Sequence, residues 1–487
     1  MGSLRRPLRL IVRILPLALL AICAALGRAQ QSAPPTDIVF RGATVMTASH
    51  GTFEHGSVWV HAGKIAGVGA TVDAPSSATT VDATGLWLTP GIIDPHSHSA
   101  LDGDVNEATI PVTPSMHMID AFDNRSADLY RALAGGVTTE LLLHGSANMI
   151  GGQAVVIKNK FGLDRDAMLF PNAPGSIKFA SGENPKRVYG SRDQLPSTRM
   201  GNFEVMRMAF EDAKHYMADW DAYDAKVKKG DKDAVPPKRD LKLEALADVL
   251  RGKLYVQIHC YRADEFLTEE AIAKEYGYKI RAFHHALEMY KVAPQIAADG
   301  TAIATFTDWW GFKDEARDAI PWNAVMSMRQ GVRVALKSDS DDHIRRLNVE
   351  AGKMVHYGGA TEDEAIRMVT LNPAWTIGVD DRTGSIDVGK DADLVLWNHD
   401  PLSTYARAMK VYIDGDLFFD ASLPAGELPI SPASCTTAAA SAPTTRRTDS
   451  DETSGSCNRD CYALCGSRPG ARGGYPAPVE SRRHHRR

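Results

Sequence analysis

The chain has 487 residues, 44% of them apolar and 24% charged, with a formal net charge of −5. That length can bury a large core and points to more than one domain, and the ordinary composition excludes a wholly disordered or fibrous chain. Charge is uneven: residues 1–29 carry five Arg and no acid, residues 431–487 nine Arg against five acids, and the body between 41 basic against 55 acidic residues, which argues against nucleic-acid binding by charge.

The first stretch reads as an export signal, residues 1–29. Arg5, Arg6, Arg9 and Arg13 precede an apolar run, Ile14 to Leu26, too short to span a bilayer comfortably, and Gly27-Arg28-Ala29 offers a cleavage point. An uncleaved anchor is the alternative. Cleavage implies a periplasmic or extracellular protein with no stable membrane anchor. Residues 30–88 then open with a polar linker and continue as short strands: Ile38–Phe40, Ala43–Met46, Ser57–Val60 and Lys64–Val68.

Pro90-Gly91-Ile92-Ile93-Asp94-Pro95-His96-Ser97-His98 follows. On a strand, residues two apart share a face, so His96 and His98 can reach one metal ion from a single strand end. From here to about residue 380, strand-like runs alternate with helical stretches, the pattern of βα units. Eight runs fit: Gly91–Asp94, Val137–Leu143, Ala154–Asn159, Ser176–Ala180, Leu254–His259, Lys279–His285, Ala302–Thr307 and Val332–Ser338. Their number predicts an α/β fold, a TIM-like (β/α)8 barrel over residues 89–380 with its chemistry at the strand C-termini.

Alternation along these strands selects inward residues. Lys178 lies opposite Ile177 and Phe179, His259 opposite Val256 and Ile258, and Lys337 and Asp339 opposite Val334 and Leu336. In the sixth strand, alternation groups Arg281, Phe283 and His285 and favours His285 over His284 as the inward histidine. A buried lysine without a partner is costly, so Lys178 is expected to react or to pair. Residues 203–250 form a charged insert with a helix over Phe203–Val227, read as a surface excursion, with a lid or a dimer contact as the functional alternative. Homo-oligomerisation therefore stays open.

Residues 381–430 return to short strands, Ala392–Trp397 and Lys410–Gly415, so both chain ends build one small β-sandwich. Residues 431–487 are Ser/Thr/Ala-rich and then Arg-rich, a composition expected to be disordered. Four of the six cysteines lie there, Cys435, Cys457, Cys461 and Cys465, and export would permit disulfides among them.

The segment around His96 and His98 resembles the first barrel strand of the amidohydrolase superfamily, and Gly384-Ser385-Ile386-Asp387-Val388-Gly389-Lys390-Asp391-Ala392-Asp393 resembles its C-terminal signature. The imidazolonepropionase- and dipeptidase-like branch is nearest in style. The resemblance implies two divalent ions, Zn with Mn or Fe as alternatives, held by His96, His98, a carboxylated Lys178, His259, His285 and Asp339. Glu183 is the alternative bridging ligand, and Asp339 is the catalytic proton carrier. It further implies hydrolysis of a carbon–nitrogen bond in a small-molecule or short-peptide substrate. Arg262 and His144 are candidate substrate-binding residues; Arg262 could equally pair with Asp264, and the His144 to Gln153 loop could be a plain turn. A mononuclear deaminase and a metal-free binding protein on the same barrel are the rivals.

Overall fold

A computed structural model of the chain describes residues 37–101 and 105–429. The export signal and the Cys-containing tail lie outside those residues. The described chain begins with β1 (Asp37–Met46), a continuous strand where the sequence suggests two short ones. β1 pairs antiparallel with β2 (Thr52–His61), which pairs with β3 (Lys64–Gly69). β4 (Thr79–Asp82) and β5 (Trp87–Pro90) run parallel to β1.

The other chain end completes the same sheet. β14 (Leu394–Trp397) pairs antiparallel with β5, and β15 (Ala408–Ile413) and β16 (Asp416–Asp420) extend it. The result is one eight-stranded mixed sheet. Phe40, Val58, Ile65, Leu88, Leu396 and Tyr412 pack into one core although they come from strands spread across the sheet, while Val395, Trp397, Val411 and Phe419 join the barrel's core.

The second sheet also has eight strands: β6 (Ile92–Ser97), β7 (Val137–Leu142), β8 (Ile150–Lys158), β9 (Gly175–Ala180), β10 (Leu254–Cys260), β11 (Ile280–His285), β12 (Ala302–Thr305) and β13 (Val334–Leu336), hydrogen-bonded in chain order. This is the barrel predicted from the apolar runs, with one strand reversed. β8 lies antiparallel to both β7 and β9, whereas the other neighbours are parallel. Only residues 143–149 separate β7 from β8, and a parallel return needs a crossover of a dozen residues or more.

The seam between β13 and β6 is closed by a side chain. Asp94, fully buried, accepts from the Ser338 backbone N–H at 3.3 Å and from the Ser338 hydroxyl. The Asp339 N–H donates to the His96 carbonyl at 3.1 Å. Next to it, Gly91 permits the close approach of β6 and β7: a Cβ there would lie 2.0 Å from Thr138 Oγ1.

The predicted surface insert is partly core. Its first helix, Arg199–Lys228, buries Phe203, Met206, Phe210 and Ala213 against the barrel, and Phe210 stacks on Tyr276 and Tyr278. Those four positions form an apolar stripe at helical spacing, masked in the sequence by the charged residues between them. The second half of the helix is mostly exposed.

Barrel and end sheet are joined by buried charge. Lys158, at the end of β8, places its ammonium 2.8 Å from Asp391 and 3.1 Å from Asp393, in contact also with Asp414. Lys64 and Arg382 add further contacts to Asp391. Among the described residues, no helix is long and apolar enough to cross a membrane.

Candidate metal centre

The C-terminal ends of the barrel strands gather the histidines. His96 comes from β6 and His98 directly follows it, His259 comes from β10, His284 and His285 from β11, and Asp339 follows β13. His96 Nε2 and His98 Nε2 are 3.3 Å apart, and Asp339 Oδ1 lies 3.2 Å from the first and 3.3 Å from the second. His285 Nδ1 approaches Asp339 Oδ2 at 3.6 Å. The His259 and His285 rings meet edge to face, 4.3 Å between centroids. His285 and Asp339 both have left-handed backbones, φ +68° and +55°, a conformation that costs of order 1–3 kcal/mol and persists where the surroundings enforce it.

The hydrogen bonds behind these rings determine where their protons sit. The Thr376 carbonyl can only accept, so Gln257 turns its Nε2 to it, at 3.1 Å, and offers its Oε1 to His284 Nε2, at 2.8 Å. His284 Nε2 therefore carries a hydrogen and its Nδ1 is a lone pair. That lone pair receives the Nδ1–H of His96 at 2.8 Å, which leaves His96 Nε2 unprotonated. His98 Nδ1 donates to the Leu143 carbonyl at 2.8 Å, so in the neutral ring its Nε2 is also a lone pair. Burial, reinforced by Lys178 and Lys337, pushes His96 well below its usual pKa and keeps it neutral. Burial alone would raise the Asp339 carboxyl, but Lys337 and the His96 contact hold it well below the usual range.

Three electron-rich atoms with no proton among them thus converge. Their separations match the edge of a tetrahedral donor set: metal–nitrogen and metal–oxygen bonds of about 2.0–2.2 Å imply donor spacings of about 3.3–3.6 Å. Among the described residues, both ring nitrogens of His285 and the Nδ1 of His259 are buried without a hydrogen-bond partner, the condition expected of donors reserved for an ion. His96, His285 and Asp339 form a group that could hold a metal. The other such group, Asp391, Asp393 and Asp414, surrounds the Lys158 ammonium.

Lys178 is fully buried, with Nζ 3.5 Å from His96 Nε2 and 3.4 Å from the His144 carbonyl. Burial pushes it down to about 7. Lys337 stands 3.4 Å from Asp339 and 3.7 Å from the centre of the Phe306 ring, pushed down to about 8 by burial.

Other sequence-derived candidates sit differently. Glu183 opens the helix Glu183–Gly190 and lines a neighbouring cleft rather than joining the His96, His285 and Asp339 donors. Arg262 is held by Asp264, at 3.0 and 3.4 Å, and so takes the pairing alternative. The His144 ring is held on both sides: Nδ1 donates to the Gly145 carbonyl of its own loop and Nε2 accepts from the N–H of Glu107 in an earlier loop. Gly151 leaves room for that ring, since a Cβ there would lie 2.8 Å from His144 Nδ1.

In β11 the simple alternation of inward and outward residues breaks. Val256 pairs with Ile280 but Gln257 pairs with Ala282, so Arg281 is an extra residue in the ladder. A bulge of one residue reverses the facing of everything after it. Phe283 therefore packs outward on Phe266, and His284 points inward to His96 and Gln257. His285 reaches the centre through its left-handed backbone. Alternation along the strands gives no role to His284, Gln257 or Asp94; the adjacent His284-His285 pair is the one visible hint.

Residues 87–419 match the amidohydrolase family model. The chain belongs to the amidohydrolase family. It is 37% identical over 374 residues to Amidohydrolase tasK of Hapsidospora irregularis, covering 72% of this chain but only 38% of that relative's length. It is 26% identical over 396 residues to the imidazolonepropionase of Mesorhizobium japonicum, covering 74% of this chain and 91% of the relative. A crystal structure of an amidohydrolase from Thermotoga maritima superposes with a TM-score of 0.72 at 36% identity, over 79% of this chain and 100% of that one. Family and donor set together make this amidohydrolase a metal-dependent hydrolase.

Proposed function

We propose that this amidohydrolase cleaves a carbon–nitrogen bond, an amide or cyclic amide such as a dipeptide or N-acyl amino acid, with two divalent ions, Zn before Mn or Fe. The observation that carries the reading is the convergence of the His96, His98 and Asp339 lone pairs at 3.2–3.3 Å. His96, His98 and Asp339 would hold one ion and His259 and His285 the second. Ions there supply Lewis acidity, acidifying water and polarising a carbonyl oxygen.

Lys178 supplies the shared ligand in this reading. With its ammonium pushed down to about 7, an appreciable fraction is neutral amine near neutrality. The amine adds to carbon dioxide, one N–C bond forms, one proton leaves, and the product carbamate has two oxygens. Asp339 Oδ1 faces the two histidines while Oδ2 faces Lys337 and His285. Oδ2 takes a proton from water and returns it to the leaving nitrogen, and Lys337 holds the carboxylate in place between the two transfers.

Metal analysis with an amide panel tests the proposal. Two equivalents and release of amine support it. One equivalent with ammonia release from an amino-substituted ring indicates the mononuclear deaminase, and no metal indicates a binding protein. Export through residues 1–29 is part of the proposal, read from their charge and hydropathy. Cell fractionation of the full chain beside one lacking those residues tests it.

A further inference from the structure

The helix Arg199–Lys228 is about 45 Å long, and its two halves differ. Its root is fixed to the barrel: Thr198 caps it, Arg199 Nε donates to the buried Glu265 at 2.7 Å, and the Asn202 amide donates to the Gly182 carbonyl at 3.0 Å. From Lys214 to Lys228 no residue is fully buried. Tyr216, Trp220 and Tyr223 are half-buried and meet edge to face. The next helix, Leu241–Leu250, gives support nearer the root, where its Lys242, Leu243 and Leu246 share a groove with Val205, Met208 and Asp212. A helix of some 15 residues without tertiary support is marginal in water, so the outer half has a face that lacks a neighbour.

That face is the side turned away from Trp220. Glu211, His215, Ala218, Ala222, Ala225 and Lys229 follow one another at spacings of four and three, and all are exposed. Charge reverses along the helix. Residues 204–224 hold six acids and two bases, and residues 225–232 hold one acid and four bases. The stripe is also symmetric about position 220. Turned end for end, it sets Ala218 against Ala222, His215 against Ala225 and Glu211 against Lys229, each pair occurring twice. Glu211 meets its own Lys214 only at 3.7 Å, and among the described residues Lys229 has no ion-pair partner. The same reversal lays the tip of one helix beside the root of the other. Val227 and Val235 are exposed at the tip, and Leu195 and Met208 are exposed at the root around an apolar groove of about 260 Å³.

We propose that this helix face docks on the same face of a second copy of the chain, antiparallel, with the two-fold axis level with Trp220. A two-fold contact requires a patch complementary to itself, and a charge reversal centred on one position supplies it. The alanines let the two helices approach to about 8 Å, the close end of ordinary helix packing. Glu211 and Lys229 fix direction and register at both ends of the seam, and the exposed valines cover the partner's groove. The inference stands whatever the chemistry of the metal centre.

Sedimentation equilibrium of the purified chain, from about 1 to 100 μM, tests it. A monomer–dimer equilibrium that weakens as salt rises is expected. Ala222→Arg should keep the native melting temperature and leave only monomer, with Ala218→Arg as the second variant if the first fails to fold. Glu211→Lys and Lys229→Glu each disturb both copies of the pair and should each weaken association about 10-fold. Combined in one chain, they should restore association, because the pairs re-form with their signs exchanged. A chain that stays monomeric throughout overturns the proposal. So does a dimer indifferent to both alanine substitutions, which would place the contact elsewhere, or a double charge variant no stronger than the single ones.

Discussion

His284→Leu isolates the proton relay behind the metal centre. The substitution keeps the volume filled but removes the acceptor of the 2.8 Å bond from His96 Nδ1. His96 then has a buried N–H with no partner, a loss of about 1–3 kcal/mol. It can recover by moving its hydrogen to Nε2, where Asp339 Oδ1 waits 3.2 Å away. That tautomer blocks the lone pair needed for metal. Supporting partners of metal-binding histidines are typically worth about 10- to 100-fold in affinity, or about 1.4–2.7 kcal/mol, so the two figures agree. Gln257→Leu should act in the same direction, because it releases the hydrogen on His284 Nε2. The assay is competition for zinc against a chromophoric chelator, with the melting temperature measured alongside. Native affinity in both variants, with both folded, would refute the relay.

Lys178→Ala should lose the second ion and most turnover, and formate or acetate should restore part of both with saturation; unchanged metal content would exclude Lys178 as the bridge. His98→Ala should abolish metal binding at the first position while far-UV circular dichroism stays native. Lys158→Met leaves the buried Asp393 without its cation, while Asp391 keeps Lys64 and Arg382 and Asp414 keeps Lys160, so about 3–5 kcal/mol of stability and roughly 4–6 °C of melting temperature should be lost. Glu269 is buried and, by that burial and the nearby Glu265, pushed up to about 8. The folded chain keeps a proton that the unfolded chain releases near 4.5, so this group's contribution is full below about 4.5 and is lost as pH rises toward 8. Glu269→Gln should therefore raise the melting temperature more at pH 8 than at pH 5; the reverse order would contradict that sign.

Much of the fold was legible because apolar runs between polar turns report strands directly. All eight barrel strands appear within a few residues of their predicted positions. The direction of β8 was not legible from its own residues, since it depends on the short connection before it. Alternation placed Lys178, His259 and Lys337 on the inner face, and it failed in β11, where Arg281 adds a residue that no pattern of hydrophobicity announces. Asn184 and Lys313 sit outside the strands and carry no periodic signal. Their juxtaposition with His259 and Tyr261 arises only when distant loops meet.

The pairing of β5 with β14 sets the order in which this chain can fold. Leu88 finds its partner in Leu396, and Trp87 in Trp397. During synthesis the first strands leave the ribosome some 300 residues before their neighbours exist. An unpaired β5 edge is a template for joining another chain, and such long-range pairing is slow and exposed to aggregation. A chain interrupted before Leu394 would therefore carry that open edge permanently. Nascent chains stalled there should depend on chaperones, and release of the final strands should end that dependence.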